Sequence, residues 1–258
     1  MEKFNFKKKY GQNFLNSDDI LNSIVSSIEV SNENKIIEVG PGSGALTKKL
    51  INFGCNITAF EIDTTLKKYL DEIKSDNLKI VYEDFLNINL KDYFDRNDKI
   101  YVVANIPYYI TTPIISKFIE EDFIPEAMVL MVQKEVAERL SAKSHSSDYG
   151  SITVILNYFF DIEYLFTVGR EYFYPIPNVD SAVIKLSKKS SKVVVNDYKK
   201  FECLVQDAFK QKRKNLRNNL KNYNLDIVEN ILKKYSLDLT NRAEDLNYEI
   251  FVEIANNL

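Results

Sequence analysis

The segment Asn105-Ile106-Pro107-Tyr108-Tyr109 carries the residue types that alkylation of an aromatic amine requires. The exocyclic amine of adenine is a poor nucleophile because its lone pair is delocalised into the ring. Two hydrogen-bond acceptors on its N–H bonds would draw the nitrogen toward tetrahedral geometry and free the pair. The Asn105 amide oxygen and the backbone carbonyl of Ile106 or Pro107 could be those acceptors. Tyr108 could stack on the extruded base, an interaction worth about 1–3 kcal/mol. Alignment of the amine with a methyl sulfonium would supply the rest of the rate, without metal or covalent intermediate. A Pro-Tyr-Tyr turn at a sheet edge would read the same in letters. The position, after an apolar run and near a glycine turn in the expected fold, favours the chemical reading.

The glycine turn lies in Ile36-Ile37-Glu38-Val39-Gly40-Pro41-Gly42-Ser43-Gly44-Ala45. Strand, turn and helix start follow one another there, so backbone can approach a ligand and free N–H groups face it. With Ala45 in the last place, the segment also satisfies the dinucleotide fingerprint. Glu61 follows the glycines by about 20 residues, where a carboxylate can accept from both ribose hydroxyls. Nicotinamide dinucleotides and S-adenosylmethionine share that demand, so Glu61 does not separate them. Asp84, at the end of a third apolar run, could accept from a cofactor adenine amine or simply turn the chain.

These residues need elements to hold them. Strands are expected at Lys35–Val39, Asn56–Ile62, Leu78–Tyr82, Lys99–Ala104, Ala127–Val132, Tyr164–Val168 and Ala182–Leu186. Helices are expected at Ala45–Phe53, Thr64–Ser75, Pro113–Glu121, Lys134–Ala142 and, with a less decisive pattern, Ile152–Phe160. Such alternation implies a mostly parallel sheet covered on both faces, with ligands bound outside the carboxyl ends of its strands. Lys188–Lys192 reads as a linker. Beyond it, Phe201, Leu204, Val205, Ala208 and Phe209, then Ile227, Ile231 and Leu232, repeat with helical period. The expectation is therefore an α/β domain over 1–187 and a small all-α domain over 188–258.

Composition narrows the class. The 258 residues are 45% hydrophobic, enough for one α/β domain with an appendage. No apolar run reaches the roughly 18 residues of a membrane span, and the N-terminal residues lack an apolar signal core. Cys55 and Cys203 fit no metal or redox spacing and read as free thiols of a reducing cytosol. His145, the single histidine, lies in a polar loop, which argues against a Ser-His-Asp triad. The net charge of −3 argues mildly against a protein that coats nucleic acid, but local basic patches remain compatible with it. No metal site and no exposed apolar face are evident, so a monomer is expected.

Taken together, these motifs resemble the ribosomal RNA adenine dimethyltransferase family over nearly the whole chain. Beside the glycine turn and Asn-Ile-Pro-Tyr, the resemblance rests on Lys9-Tyr10-Gly11-Gln12-Asn13-Phe14-Leu15, Gln133–Leu140, Tyr149-Gly150-Ser151 and Phe173-Tyr174-Pro175-Ile176-Pro177-Asn178-Val179-Asp180-Ser181. It implies a Rossmann-like methyltransferase domain with a mostly parallel seven-stranded sheet. The cofactor implied is S-adenosyl-L-methionine, held by Asn13, Leu15, Gly40, Gly42, Glu61, Asp84 and Asn105. The catalytic set implied is Asn105, Pro107, Tyr108 and Phe173, with Phe173 facing Tyr108 across the base. The implied reaction is dimethylation of two adjacent adenosines in the 3′-terminal hairpin of small-subunit ribosomal RNA, on a cytoplasmic assembly intermediate. In that family, loss is linked to kasugamycin resistance.

RNA contacts are expected from two basic stretches: Lys7, Lys8 and Lys9, and Lys210, Lys212, Arg213, Lys214, Arg217 and Lys221. Helical spacing would place Lys210, Lys214, Arg217 and Lys221 on one face. A solvated helix face is the plain alternative, but 208–221 has no interleaved acid. Local basic stretches on an acidic chain suit a folded RNA recognised by shape. Competing functions are a large-subunit methyltransferase conferring macrolide resistance, a DNA adenine methyltransferase, a non-catalytic assembly factor and a nicotinamide oxidoreductase. The last leaves Asn105–Tyr108 unexplained.

Overall fold

Ile and Val crowd the runs that become strands, and glycine turns and amphipathic stretches separate them. The computed structural model describes residues 13–106 and 110–258. The first elements are β1 (Phe14–Leu15), α1 (Asp18–Val25), β2 (Lys35–Val39), α2 (Thr47–Leu50), β3 (Asn56–Phe60), α3 (Lys67–Leu70) and β4 (Leu78–Val81). Then come β5 (Ile100–Asn105), α4 (Thr111–Glu120), β6 (Ala127–Gln133), α5 (Lys134–Leu140) and α6 (Ser151–Phe159). Strands β7 (Phe160–Val168), β8 (Phe173–Tyr174) and β9 (Ser181–Lys188) come next. Helices α7 (Tyr198–Phe209), α8 (Leu216–Asn219), α9 (Leu225–Lys234) and α10 (Tyr248–Asn257) follow.

The main sheet has the expected seven strands, and their order is β4-β3-β2-β5-β6-β9-β7. Strands β4, β3, β2, β5 and β6 run parallel, and β9 is antiparallel to β6. Because β6 is covered on both faces, its Met128–Leu130 and Val132 are fully buried and read as one apolar run. One core cluster joins Ile36, Ile57, Val103, Val129 and Val183 with Leu21 and Ile24 of α1. Each such side chain contributes about 1.5–3 kcal/mol over its exposed state. The chain leaves β2 toward β4 and then returns to β5 on the other side of β2. The strand order therefore reverses between β2 and β5, the place where α/β sheets bind ligands.

Two expected helices are shorter than their apolar patterns. The Ala45–Phe53 stretch is α2 followed by a tighter turn over Ile51–Phe53, closed by Gly54 in the left-handed region. Thr64–Ser75 forms a tight turn over Thr64–Leu66 and then only α3. Asp71 ends it: its carboxylate takes the Tyr82 hydroxyl at 2.6 Å and its carbonyl takes the Lys74 ammonium at 2.7 Å. Ile73 then folds back against the glycine turn. A Cβ at Gly44 would lie 2.3 Å from Ile73 Cδ1, on a backbone with φ +83°. Gly44→Ala should therefore cost about 1–2 kcal/mol in backbone conformation alone, checked by denaturant unfolding.

Helix α1 and the two-stranded sheet of β1 and β8 had no counterpart in the sequence reading. Ser17 caps α1 by accepting from the Ile20 amide, and Asp18 and Asp19 complement the helix dipole. The β1 and β8 strands pair antiparallel, Leu15 opposite Phe173.

Contacts divide the chain into two compact units. One comprises the residues up to Ala137 with Glu163–Lys188; the other is Glu138–Ile162 with Lys189–Leu258. Residues 138–162 thus belong to the helical unit, whereas the sequence boundary placed them in the α/β domain. The cause is α6, whose Val154, Ile155 and Tyr158 join the cluster of Phe201, Leu204, Val205, Leu232 and Phe251. Asp197, Asn215, Asn224 and Asn247 each cap a helix of this unit.

The basic stretch does not form one helical face. Helix α7 ends at Phe209, and α8 does not begin until Leu216. Asn219 explains the break: its amide donates to the Ala208 carbonyl at 2.6 Å and the Gln211 carbonyl at 3.2 Å. Lys210, Lys212, Arg213, Lys214, Arg217 and Lys221 are all exposed, on a capped turn and the short helix after it. Lys212 donates to the Ser147 carbonyl.

Candidate active site

A cavity of about 240 Å³ opens where the strand order reverses. The sheet register makes it. Val39 of β2 pairs with Phe60 of β3 on one side and Ala104 of β5 on the other. Gly40, Glu61 and Asn105 therefore follow at one level, at the carboxyl ends of three adjacent strands. An ideal Cβ on Gly40 would stand 3.6 Å from the Asn105 carbonyl oxygen.

Gly42 has φ +61°, and a Cβ there would press on Phe14 at 3.0 Å. Its amide donates to Glu61 Oε2 at 3.0 Å, and the Asp63 amide donates to Glu61 Oε1 at 2.8 Å. Burial pushes the Glu61 carboxyl up, and these two amides draw it back. Each oxygen thereby has one fixed donor, which orients the carboxylate at the cavity wall. Asp84 is held by the Leu86 amide at 3.0 Å. The loop carrying it is tied to α4 through Lys117, which donates to the Leu86 and Ile88 carbonyls and to Glu121. Glu121 in turn accepts from the Leu90 amide at 2.7 Å.

Asn13, Leu15, Gly40, Gly42, Glu61, Asp84, Asn105 and Phe173 all line this one cavity. Phe173 reaches it because β8 pairs with β1, and it is buried there. Pro107, Tyr108, Lys7, Lys8 and Lys9 lie outside the described residues. Lys210, Lys212, Arg213, Lys214, Arg217 and Lys221 belong to the helical unit.

The sequence reading missed Glu38. It lines the cavity, is 1% exposed, and neither carboxylate oxygen has a hydrogen-bond partner. Burial pushes its carboxyl up to about 8. The nearby Thr47 hydroxyl lowers it slightly without reaching hydrogen-bond geometry, and Glu61 raises it further. The signal was present: a single acid inside the apolar strand Ile36-Ile37-Glu38-Val39. Phe14, Phe60, Phe85 and Ile106 supply further apolar wall. The described lining carries four acids, Glu38, Glu61, Glu83 and Asp84, and no Lys, Arg or His. Such a wall suits a cationic nucleoside and repels a pyrophosphate.

Next to Phe173 the surface is apolar. Tyr174 is 64% exposed and Ile176 63%, with Tyr172 and Val179 also exposed. The sequence reading expected no such face, and its ground for a monomer falls with it. The apolar residues are spread over a short loop, so no periodic pattern announced them. No helix of the described residues is long and apolar enough to cross a membrane, and they contain no group of three metal-ligating side chains.

A mostly parallel sheet with a glycine turn, an oriented carboxylate and an Asn-bearing strand end at its switch point defines a Rossmann-like methyltransferase fold. The chain belongs to the ribosomal RNA adenine dimethylase family, whose pattern it matches over residues 3–258. It is 42% identical to ribosomal RNA small subunit methyltransferase A of Bacillus cytotoxicus, over 99% of this chain and 92% of that one. The same enzyme of Bacillus mycoides is 40% identical at the same coverage. Among solved structures, a dimethyladenosine transferase from Plasmodium falciparum superposes with TM-score 0.78 at 27% identity, over 93% of this chain and 95% of that one. The 23S rRNA methyltransferase ErmE superposes with TM-score 0.75 at 25% identity, over 95% and 99%.

Proposed function

We propose that this protein uses S-adenosylmethionine to dimethylate N6 of two adjacent adenosines in the 3′-terminal hairpin of small-subunit ribosomal RNA, on a cytoplasmic subunit-assembly intermediate. The observation that carries the reading is the crevice whose described lining carries acids and no cation, with Asn105 at the strand end beside Gly40. When bound, S-adenosylmethionine supplies a methyl group on a sulfonium. Glu61 accepts from the ribose hydroxyls, Asp84 from the cofactor adenine amine, and the Gly40–Gly42 turn lets backbone approach the rest. Asn13 and Leu15 close the cavity from β1. Asn105 Oδ1 and the carbonyl of Ile106 or Pro107 accept from the two N–H bonds of the target amine. Phe173 and Tyr108 hold its ring. Held there, the sulfonium would supply the methyl group to the N6 lone pair, and the N6 proton would leave to solvent.

The small-subunit assignment is favoured by the names of the relatives at 40–42% identity. The likeness to ErmE keeps large-subunit RNA as the second reading. A nicotinamide oxidoreductase is disfavoured, because a pyrophosphate would face four carboxyl groups. Primer extension across the hairpin in a strain lacking the gene should lose the dimethyladenosine stops. Their persistence would refute the assignment.

The basic turn of the helical unit is proposed to contact RNA phosphates. Changing Lys210, Arg213 and Lys214 together to Ala should lower RNA affinity and reduce the slope of log affinity against log salt by roughly 2–3. Cofactor affinity should stay constant. Lys212 is spared in this variant because it also holds Ser147.

A further inference from the structure

Glu38 has no role in the transfer reaction, yet its carboxyl group is buried in the cavity wall without a hydrogen-bond partner. Among the described residues, the buried side-chain polar atoms without a hydrogen-bond partner are both Glu38 oxygens and the Thr47 hydroxyl. A buried carboxyl group left without a hydrogen-bond partner calls for an explanation, and a ligand that enters the same cavity supplies one. Across β2, Glu38 faces Ala59 of β3 and Val103 of β5, neither of which can pair with it. Among the described residues of the cavity lining the charged groups are all acids: Glu61 beside it, and Glu83 and Asp84 on the same wall. Leu21 and Ile24 of α1 and Ile114 of α4, which also line the cavity, offer no polar atom.

We propose that Glu38 is a proton-gated counter-charge for the sulfonium, holding a proton while the crevice is empty and releasing it when S-adenosylmethionine enters. This inference rests on the methyltransferase reading above. A neutral carboxylic acid is the favoured form in a dry, acid-lined cavity. A cation in the same cavity reverses that preference, and the carboxyl then ionises, with its proton passing to solvent. S-adenosylhomocysteine has the same ammonium and carboxylate but a neutral thioether. Glu38 would therefore favour the methyl donor over the spent product, which aids product release after each of the repeated transfers that dimethylation requires.

The raised Glu38 carboxyl agrees with this geometry, since burial places its titration near neutral pH, at about 8. Below that pH, ionisation on binding costs one proton. The ratio of S-adenosylmethionine affinity to S-adenosylhomocysteine affinity should then rise by up to about tenfold per pH unit and level off above pH 8.

Isothermal titration of the intact protein at pH 7, in buffers of different ionisation enthalpy, counts the proton directly. S-adenosylmethionine should release close to one proton and S-adenosylhomocysteine markedly less. Glu38→Gln should abolish the release and lower S-adenosylmethionine affinity about tenfold, with little change for the thioether. The wild-type pH series tests the same point without any variant. Binding of S-adenosylmethionine without proton release, or an affinity ratio flat from pH 6 to 8, would overturn this inference alone. Failure of both ligands to bind the wild type would overturn the proposed function and this inference with it.

Discussion

Asn105→Ala should lower the single-turnover rate of methyl transfer by about 10²–10³-fold, the scale seen when one preorganised hydrogen-bond partner of a transition state is lost. The side chain stands at the last residue of β5, opposite Met131 of β6, and half-buried at the cavity wall. Pairing with Met131 of β6 fixes its backbone at the cavity wall. The nucleophile gains most from that acceptor as its nitrogen becomes tetrahedral, which is why the loss falls on the chemical step. Cofactor affinity should drop less than tenfold, because Glu61, Asp84 and the glycine turn remain. Rapid-quench rates with labelled cofactor, paired with calorimetric binding, separate the two quantities. An unchanged rate with a large binding defect would make Asn105 a cofactor ligand only.

Glu38→Gln should stabilise the ligand-free protein by about 3 kcal/mol at pH 7 and by almost nothing at pH 4.5. The folded carboxyl is raised to about 8 from an ordinary 4.5. Between those values the folded state keeps a proton that the unfolded state gives up. Stability of the wild type therefore falls with rising pH across that window, by about 1.4 kcal/mol per unit. The amide variant has no proton to keep and lacks the decline. Denaturant unfolding at pH 4.5, 6 and 7 measures it, and parallel curves for the two proteins would contradict it. A site that stores instability for its ligand is a common trade of stability for function.

The central strands could be read from sequence because they are short apolar runs, Lys35–Val39, Ile100–Asn105 and Ala127–Gln133, whose buried parallel pairing leaves little polar interruption. The glycine turn and Asn105 could be placed at one site because parallel sheets align the carboxyl ends of their strands. What escaped were features set by long-range packing. The strand pairing of Leu15 with Phe173 joins distant parts of the chain through two residues each, too short for any periodic signal. The 210–221 stretch has helical spacing on paper, but the Asn219 amide satisfies the carbonyls at the end of α7 and stops the helix. Residues 138–162 changed partners because the apolar face of α6 fits the helical cluster. Glu38 was visible as a letter, but only its burial without a partner gives it chemical weight.

The most direct measurement is transfer of label from S-adenosylmethionine by the purified protein to under-methylated small ribosomal subunits, with large subunits and naked ribosomal RNA alongside. Digestion and mass spectrometry should find dimethyladenosine at two adjacent positions of the small-subunit 3′ hairpin. Label confined to the large subunit, or no transfer to any RNA while the cofactor binds, would contradict the account.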